Sequence, residues 1–143
     1  MGTKFSTRIW VSVVGIASIF FGSKGYADTV ISVADFGLKP DTRENAVAYV
    51  QKAIEACRGK EPVTLVFPEG RYDFWPQYAH EKNYYETNTY DVFPKRLAML
   101  FEGLHNITVD GNGSQFVMHD RIQPITVENC DGVTLKNFSI DWD

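Results

Sequence analysis

The 143 residues contain only two cysteines, Cys57 and Cys130. Two thiols cannot build a disulfide framework, and no C-x-x-C spacing offers a zinc site. They read as two small buried apolar residues, although an oxidising compartment would permit a bond between them. The histidines, His80, His105 and His119, are scattered without ligand spacing, so no metal is expected. There is no G-x-G-x-x-G, no P-loop and no G-x-S-x-G, which removes the signatures of dinucleotide binding, of phosphate cradling and of a serine nucleophile elbow, and no cofactor is expected. A basic stripe is also missing: 14 Lys and Arg stand against 18 Asp and Glu. That balance argues against nucleic acid and against adsorption to anionic membranes. Neutral sugars are compatible with it. The longest uncharged, mostly apolar run, Ile9 to Phe21, has 13 residues. A membrane span needs about 20, so no stable span is expected.

That short run has a different meaning. Lys4 and Arg8 precede it as a basic n-region, and Gly25-Tyr26-Ala27 puts small residues where a signal peptidase reads. The layout is that of a secretory signal peptide over residues 1–27, cut between Ala27 and Asp28. Export to a periplasmic or extracellular location is expected. Removal of the leader leaves 116 residues with 11 basic and 18 acidic side chains, a net charge of −7. Residues 28–143 suffice for one small domain.

Within them, Val30 to Val33 reads as a short strand before an Asp35-Phe36-Gly37 turn. Asp41 with Glu44 three residues later resembles a capping box and starts a helix over Asp41–Arg58. Val47, Val50, Ile54 and Cys57 form one apolar stripe at spacings of 3, 4 and 3. Gly59 suits a left-handed helix end. Val63 to Phe67 is the next strand, with Val63, Leu65 and Phe67 on one face. Arg71 to Phe74 is another, ended by Trp75-Pro76. Residues 77–96 lack a period and hold many aromatics, including Tyr78, Tyr84, Tyr85, Tyr90 and Phe93. A loop of that length inside a compact domain is usually functional or disordered, and the aromatics argue against disorder.

The last third repeats itself. Phe101 to Asn112 aligns with Val127 to Phe138 at an offset of 26, so that Glu102 meets Glu128, Ile107 meets Val133, Thr108 meets Thr134 and Val109 meets Leu135. Each unit sets an apolar–Thr–apolar strand between turn-rich flanks. A period of 20 to 50 residues with one short strand per unit points to a solenoid of parallel strands. Ile107, Val109, Val133 and Leu135 then face the core, and Thr108 and Thr134 face outward. Two unrelated hairpins in an antiparallel domain are the alternative. The fold class expected is all-β with an N-terminal capping helix: an incomplete right-handed parallel β-helix covering the cap and first rungs.

Ser32-Val33-Ala34-Asp35-Phe36-Gly37, the helix ending near Cys57, and Val63-Thr64-Leu65-Val66-Phe67-Pro68-Glu69-Gly70-Arg71-Tyr72 resemble the opening of the pectate-lyase-like β-helix superfamily. Arg71-Tyr72-Asp73-Phe74-Trp75-Pro76, Leu100-Phe101-Glu102-Gly103, Asp110-Gly111-Asn112-Gly113-Ser114 and Asn137-Phe138-Ser139-Ile140-Asp141-Trp142 are similar to glycoside hydrolase family 110, the bacterial α-1,3-galactosidases. The resemblance implies an exo-acting inverting hydrolase that removes terminal α-1,3-linked galactose from a glycan. It also implies that the catalytic acids come from later rungs, so the 143 residues alone are expected to be an inactive N-terminal fragment. With only two clear repeats and an open last strand they are also expected to be marginally folded and prone to aggregate. Polygalacturonases and pectate lyases share the fold. A non-catalytic β-helix adhesin or glycan-binding module is the alternative from another class.

Inverting hydrolysis needs two carboxyl groups about 6.5–9.5 Å apart. Asp141 and Asp143, at i and i+2 of one strand, are separated by roughly 6.5–7 Å of rise and share a face, with Ile140 and Trp142 inward. They are the candidate acid–base pair, against the simpler reading of a solvated strand end. Trp75, Tyr84, Tyr85 and Tyr90 are candidates to stack on sugar, and Arg71 to hydrogen-bond its hydroxyls. The competing reading folds these aromatics onto the helix flank as a satellite core.

Overall fold

The computed structural model describes residues 28–83 and 94–143. Its elements run β1 (Thr29–Ser32), a 3-10 turn (Val33–Phe36), α1 (Val47–Cys57), β2 (Val63–Val66), β3 (Arg71–Phe74), β4 (His80–Lys82), β5 (Lys95–Glu102), β6 (His105–Met118), β7 (Gln123–Glu128) and β8 (Asp131–Trp142). One sheet contains β1, β2, β3, β6 and β8, and the other β4, β5 and β7. Every pairing in the larger sheet is parallel. In the smaller sheet β5 and β7 are parallel, while β4 runs antiparallel along β5.

The 26-residue repeat is the register of this stacking. Ile107 lies opposite Val133, Thr108 opposite Thr134 and Val109 opposite Leu135. Phe101 and Glu102 lie opposite Val127 and Glu128 in the other sheet. Parallel pairing removes the antiparallel hairpins as an account of these strands. Glu102 beside Glu128 would repel as directly opposed like charges. Lys82 of β4 resolves this by reaching both, with Nζ 2.7 Å from each carboxylate.

The apolar faces meet as the alternation requires. Val63, Leu65, Phe67, Ile107 and Val109 are buried, and Phe67, Tyr72, Phe74 and Phe116 pack edge-on or tilted against one another. Phe138 of β8 stacks on Phe116 with ring centroids 4.8 Å apart. The inward expectation is only partly met on β8: Val133 is half-buried, but Leu135 is 39% exposed and Trp142 57% exposed. Ile140 and Trp142 do share the face of their register partners Phe116 and Met118, both buried. They stay exposed because β8 has one strand neighbour among the described residues, β6.

The helix begins later than the capping-box pattern suggests. Asp41 and Arg43 adopt left-handed backbone, with φ of 62° and 60°. Asp41 is tied to β3 instead: its N–H donates to Arg71 O at 2.8 Å and its carboxylate accepts from Arg71 N at 2.9 Å. Ala46 N–H likewise donates to Asp73 O. The free N–H of Val47 is satisfied by Asn45 Oδ1 at 3.1 Å, which does the capping work assigned above to Asp41. The capping box falls one segment earlier, between Ser32 and Asp35 at the 3-10 turn. The stripe holds: Val47, Val50, Ile54 and Cys57 are all buried, on a helix packed against β1, β2 and β5. Arg58 ends the helix in extended backbone and Gly59 takes φ of 75°.

Tying residues 40–41 to β3 leaves Gly70 no room. Its φ is 148°, and a Cβ there would collide with Pro40 and sit 3.0 Å from an Asp41 carboxylate oxygen. Gly70→Ala is expected to cost roughly 3 kcal/mol, combining backbone strain with overpacking. Gly59→Ala, which meets nothing within 4 Å, should lose only about 1 kcal/mol from its positive φ. Equal losses in urea unfolding would mean that the close approach of Pro40 is not what demands glycine.

Candidate functional site

Alternate residues of β3 face away from the apolar interior, and they carry the polar centre of the described structure. Arg71 and Asp73 stand two apart on β3, with Trp75 just beyond it. On the neighbouring strand Asp73 pairs with Val117, and His119 N–H donates to Phe74 O at 2.9 Å. On the strand after that, Met118 pairs with Trp142, and Asp143 N–H donates to Met118 O at 3.0 Å. Trp75, His119 and Asp143 therefore extend three adjacent parallel strands side by side.

One irregularity decides which residues meet. Between Asp110 and Ser114 the β6–β8 register shifts, so that Lys136 and Phe138, two apart, lie opposite residues four apart. The Gly111-Asn112-Gly113 turn supplies the extra chain, and Gly111 is pressed against Phe138 and the Asn137 carbonyl so closely that a Cβ would not fit. Past this point the offset is 24 rather than 26, which brings Asp143 alongside His119.

The side chains then close on one another. Asp73 is 1% exposed. Its carboxylate accepts from Arg71 Nη2 at 2.6 Å and from Arg71 Nε at 3.0 and 3.1 Å. His119 Nε2 lies 2.8 Å from its Oδ1. Arg71 Nη2 also reaches Asp143 Oδ2 at 3.3 Å, where Asp143 is largely exposed. The indole of Trp75 lies flat on the His119 ring, with centroids 3.9 Å apart and planes 2° from parallel. Asn45 Oδ1 accepts from Trp75 N–H at 3.2 Å and its amide donates to Gln77 O at 2.9 Å, so the strand end is anchored from behind.

The electrostatics follow from these contacts. Burial pushes the Asp73 carboxyl up, but hydrogen bonds from Arg71 and His119 outweigh it and hold the group below the usual carboxylate range. Asp73 is thus an anion with its oxygens satisfied, an anchor for two donors rather than a proton carrier. Its hydrogen bond in turn pushes Arg71 up and keeps the guanidinium charged. With Arg71 Nε and Nη2 and His119 Nε2 committed to the Asp73 and Asp143 carboxylates, the cluster offers a ligand the Nη1 of a fixed guanidinium, the Nδ1 of an imidazole, an aromatic ring and one exposed carboxylate: hydrogen-bonding and stacking groups of the kind a sugar uses.

Of the site residues expected from sequence, Arg71, Trp75 and Asp143 are brought together here. Asp141 shares the outward face with Asp143, but its Oδ1 accepts the N–H of Trp142 at 2.9 Å and it has no ion pair with Arg71. Tyr84, Tyr85 and Tyr90 lie outside the described residues, as do Phe93 and residues 1–27 with the expected cleavage residue Ala27. Asp73 and His119 were not singled out from sequence. Asp73 carried a signal in retrospect, as a carboxylate alternating with Arg71 on a strand; His119, 46 residues away, carried none.

Cys57 and Cys130 are free thiols. Burial pushes the Cys57 thiol up to about 11, which suits the inert core residue expected. Among the described residues no group of three or more His, Cys, Asp or Glu is placed to hold a metal ion, and no helix is long and apolar enough to cross a membrane.

Comparison with known proteins gives these groups a context. No family model matches the chain. Individual relatives do. Over 117 residues it is 62% identical to alpha-1,3-galactosidase B of Bacteroides thetaiotaomicron, a match covering 82% of this chain and 19% of the relative. The chain is similar to alpha-1,3-galactosidases. Alpha-1,3-galactosidase A of Shewanella woodyi is 42% identical over 113 residues, covering 79% of this chain and 18% of the relative. Alpha-1,3-galactosidase B of Phocaeicola vulgatus is 37% identical over 139 residues, covering 94% and 22%. The chain therefore spans about one fifth of the length of the curated relatives it matches.

Proposed function

We propose that this chain is the N-terminal part of an exported, exo-acting glycoside hydrolase of family 110, which removes terminal α-1,3-linked galactose from glycans by inverting hydrolysis. The observation that carries the proposal is the 62% identity to an alpha-1,3-galactosidase across most of the chain. The parallel register of β6 with β8 and of β5 with β7 supports reading the domain over residues 28–143 as the first rungs of a right-handed parallel β-helix, with α1 as its cap. The short apolar leader supports cleavage between Ala27 and Asp28 and a periplasmic or extracellular site of action.

In this proposal Arg71 and Trp75 bind sugar, and the residues that transfer protons are supplied by the rest of the enzyme. Asp73 and Asp143 both pair with Arg71, which leaves no second unpaired carboxyl in the cluster to serve with Asp141 across a water. By itself the chain is inactive and associates through β8, where Leu135, Ile140 and Trp142 are exposed beside a strand edge with no partner among the described residues.

A chimaera tests this. The segment replaces the equivalent 117 residues of the Bacteroides thetaiotaomicron relative, and the product is incubated with a disaccharide ending in α-1,3-linked galactose. The chimaera is expected to release galactose, with β-galactose as the first anomer seen by NMR, while the 143-residue chain releases none. A folded chimaera without activity would count against the proposal. Release by the short chain, abolished by Asp141→Asn or Asp143→Asn, would instead place the acid–base pair within it.

A further inference from the structure

Among the described residues eight non-glycine positions have positive φ, and six of them are Asn or Asp, the types that tolerate it. Tyr78, at φ 68°, is one of the two exceptions. A bulky residue keeps such a conformation only where its surroundings impose it. They do so here through side-chain amides: Gln51 Nε2 donates to Tyr78 O at 2.9 Å, and Asn45 Nδ2 donates to Gln77 O at 2.9 Å. Ala79 N–H closes the turn on Pro76 O at 3.2 Å. Yet the ring so placed gives nothing to the core, since Tyr78 is 76% exposed.

The ring borders an open groove of about 530 Å³, lined by Ala48, Gln51, Lys52 and Glu55 of α1 and by His80 of β4. The lining combines one ammonium, one carboxylate, an imidazole, and an amide oxygen left over when Gln51 donates to the turn. Glu55 already accepts from Arg58 Nε at 3.1 and 3.2 Å, so its charge is balanced at the helix end, and donors and acceptors of both signs along the groove suit a neutral ligand with many hydroxyls. An exposed aromatic face beside such donors and acceptors fits a pyranose, whose C–H face lies on the ring while its hydroxyls reach the polar side chains.

We propose that the solvent side of α1 carries a second, non-catalytic sugar-binding surface, centred on Tyr78, that takes a neutral pyranose unit of a glycan. It shares no lining residue with the Arg71 cluster and does not depend on that cluster's function. The probe is methyl α-galactopyranoside, titrated into the full chain and followed by saturation-transfer NMR. Binding on the order of millimolar is expected, as suits a small ligand on an open surface. Tyr78→Ala should weaken it about tenfold, the loss of one aromatic contact, and Tyr78→Phe should retain it. Trp75→Ala removes the Arg71 cluster as a second source of signal, and the Tyr78-dependent binding should persist in it. Tyr78→Gly should melt at a higher temperature, because glycine relieves the positive φ, and should not bind. Absence of binding, or binding lost in Trp75→Ala but kept in Tyr78→Ala, overturns the proposal. So does a Tyr78→Gly chain that is less stable than the parent, since the ring would then serve the fold. Tighter binding of the negatively charged methyl galactosiduronate would overturn the neutral ligand class.

Discussion

Asp73→Ala is expected to destabilise the protein by about 3 kcal/mol and to release Arg71 and His119 from their positions together. The carboxylate is buried and is the shared acceptor of both residues, so its removal leaves a guanidinium, 22% exposed as a side chain, without its principal partner. Asp143 does not compensate: its contact with Arg71 is longer, at 3.3 Å, and lies in solvent, where an ion pair contributes about 1 kcal/mol or less. Asp143→Ala is accordingly expected to cost under about 1 kcal/mol. Asp73→Asn should not fully rescue the loss, because the negative charge is gone and one of the two acceptor oxygens becomes an NH2 facing the donors of Arg71 or His119.

The same residue makes stability sensitive to acid. The Asp73 carboxyl is held below its ordinary value in the folded chain. A depressed pKa contributes stability that is fully present above the unfolded value, about 3.9, and is lost as pH falls through the folded value. The parent should therefore lose this contribution below about pH 4, and Asp73→Ala should show a flatter profile there. Urea midpoints measured from pH 7 to pH 2.5 check both statements. Parallel profiles for parent and variant would show that Asp73 is not the carboxylate responsible.

Ile107→Asp is expected to be more severe, on the order of 5 kcal/mol, which approaches the whole stability of a small domain. Ile107 is fully buried between Val63 and Val133 in adjacent parallel strands. The change removes an aliphatic side chain and buries a carboxyl among apolar neighbours. Thr134→Asp, on the outward face of β8, should shift stability by no more than about 0.5 kcal/mol. Val133→Asp should fall between them, because Val133 is half-buried with one strand neighbour. Thermal melts of the three variants give the comparison, and similar losses at 107 and 134 would contradict the two-faced arrangement of these strands.

The sequence by itself determined what is local or periodic. Alternation in Val63-Thr64-Leu65-Val66-Phe67 set the buried face of β2, and the stripe from Val47 to Cys57 set the buried face of α1. The 26-residue repeat determined that Ile107 and Val109 lie beside Val133 and Leu135. Burial face depends on period alone, so it can be read before any strand has a neighbour. Which outward side chains meet depends instead on register, and register is set by turns and bulges whose effects appear only once strands are stacked. Carried through without interruption, the repeat would have placed Asp143 two positions away from His119; the Gly111-Asn112-Gly113 bulge moved it into line. The start of α1 was decided in the same way, because backbone bonds from Asp41 and Ala46 to β3 overrode a plausible local cap. Only the tertiary structure, for the same reason, could set Lys82 between Glu102 and Glu128, or give Asp73 the two donors that make it an anchor instead of an acid.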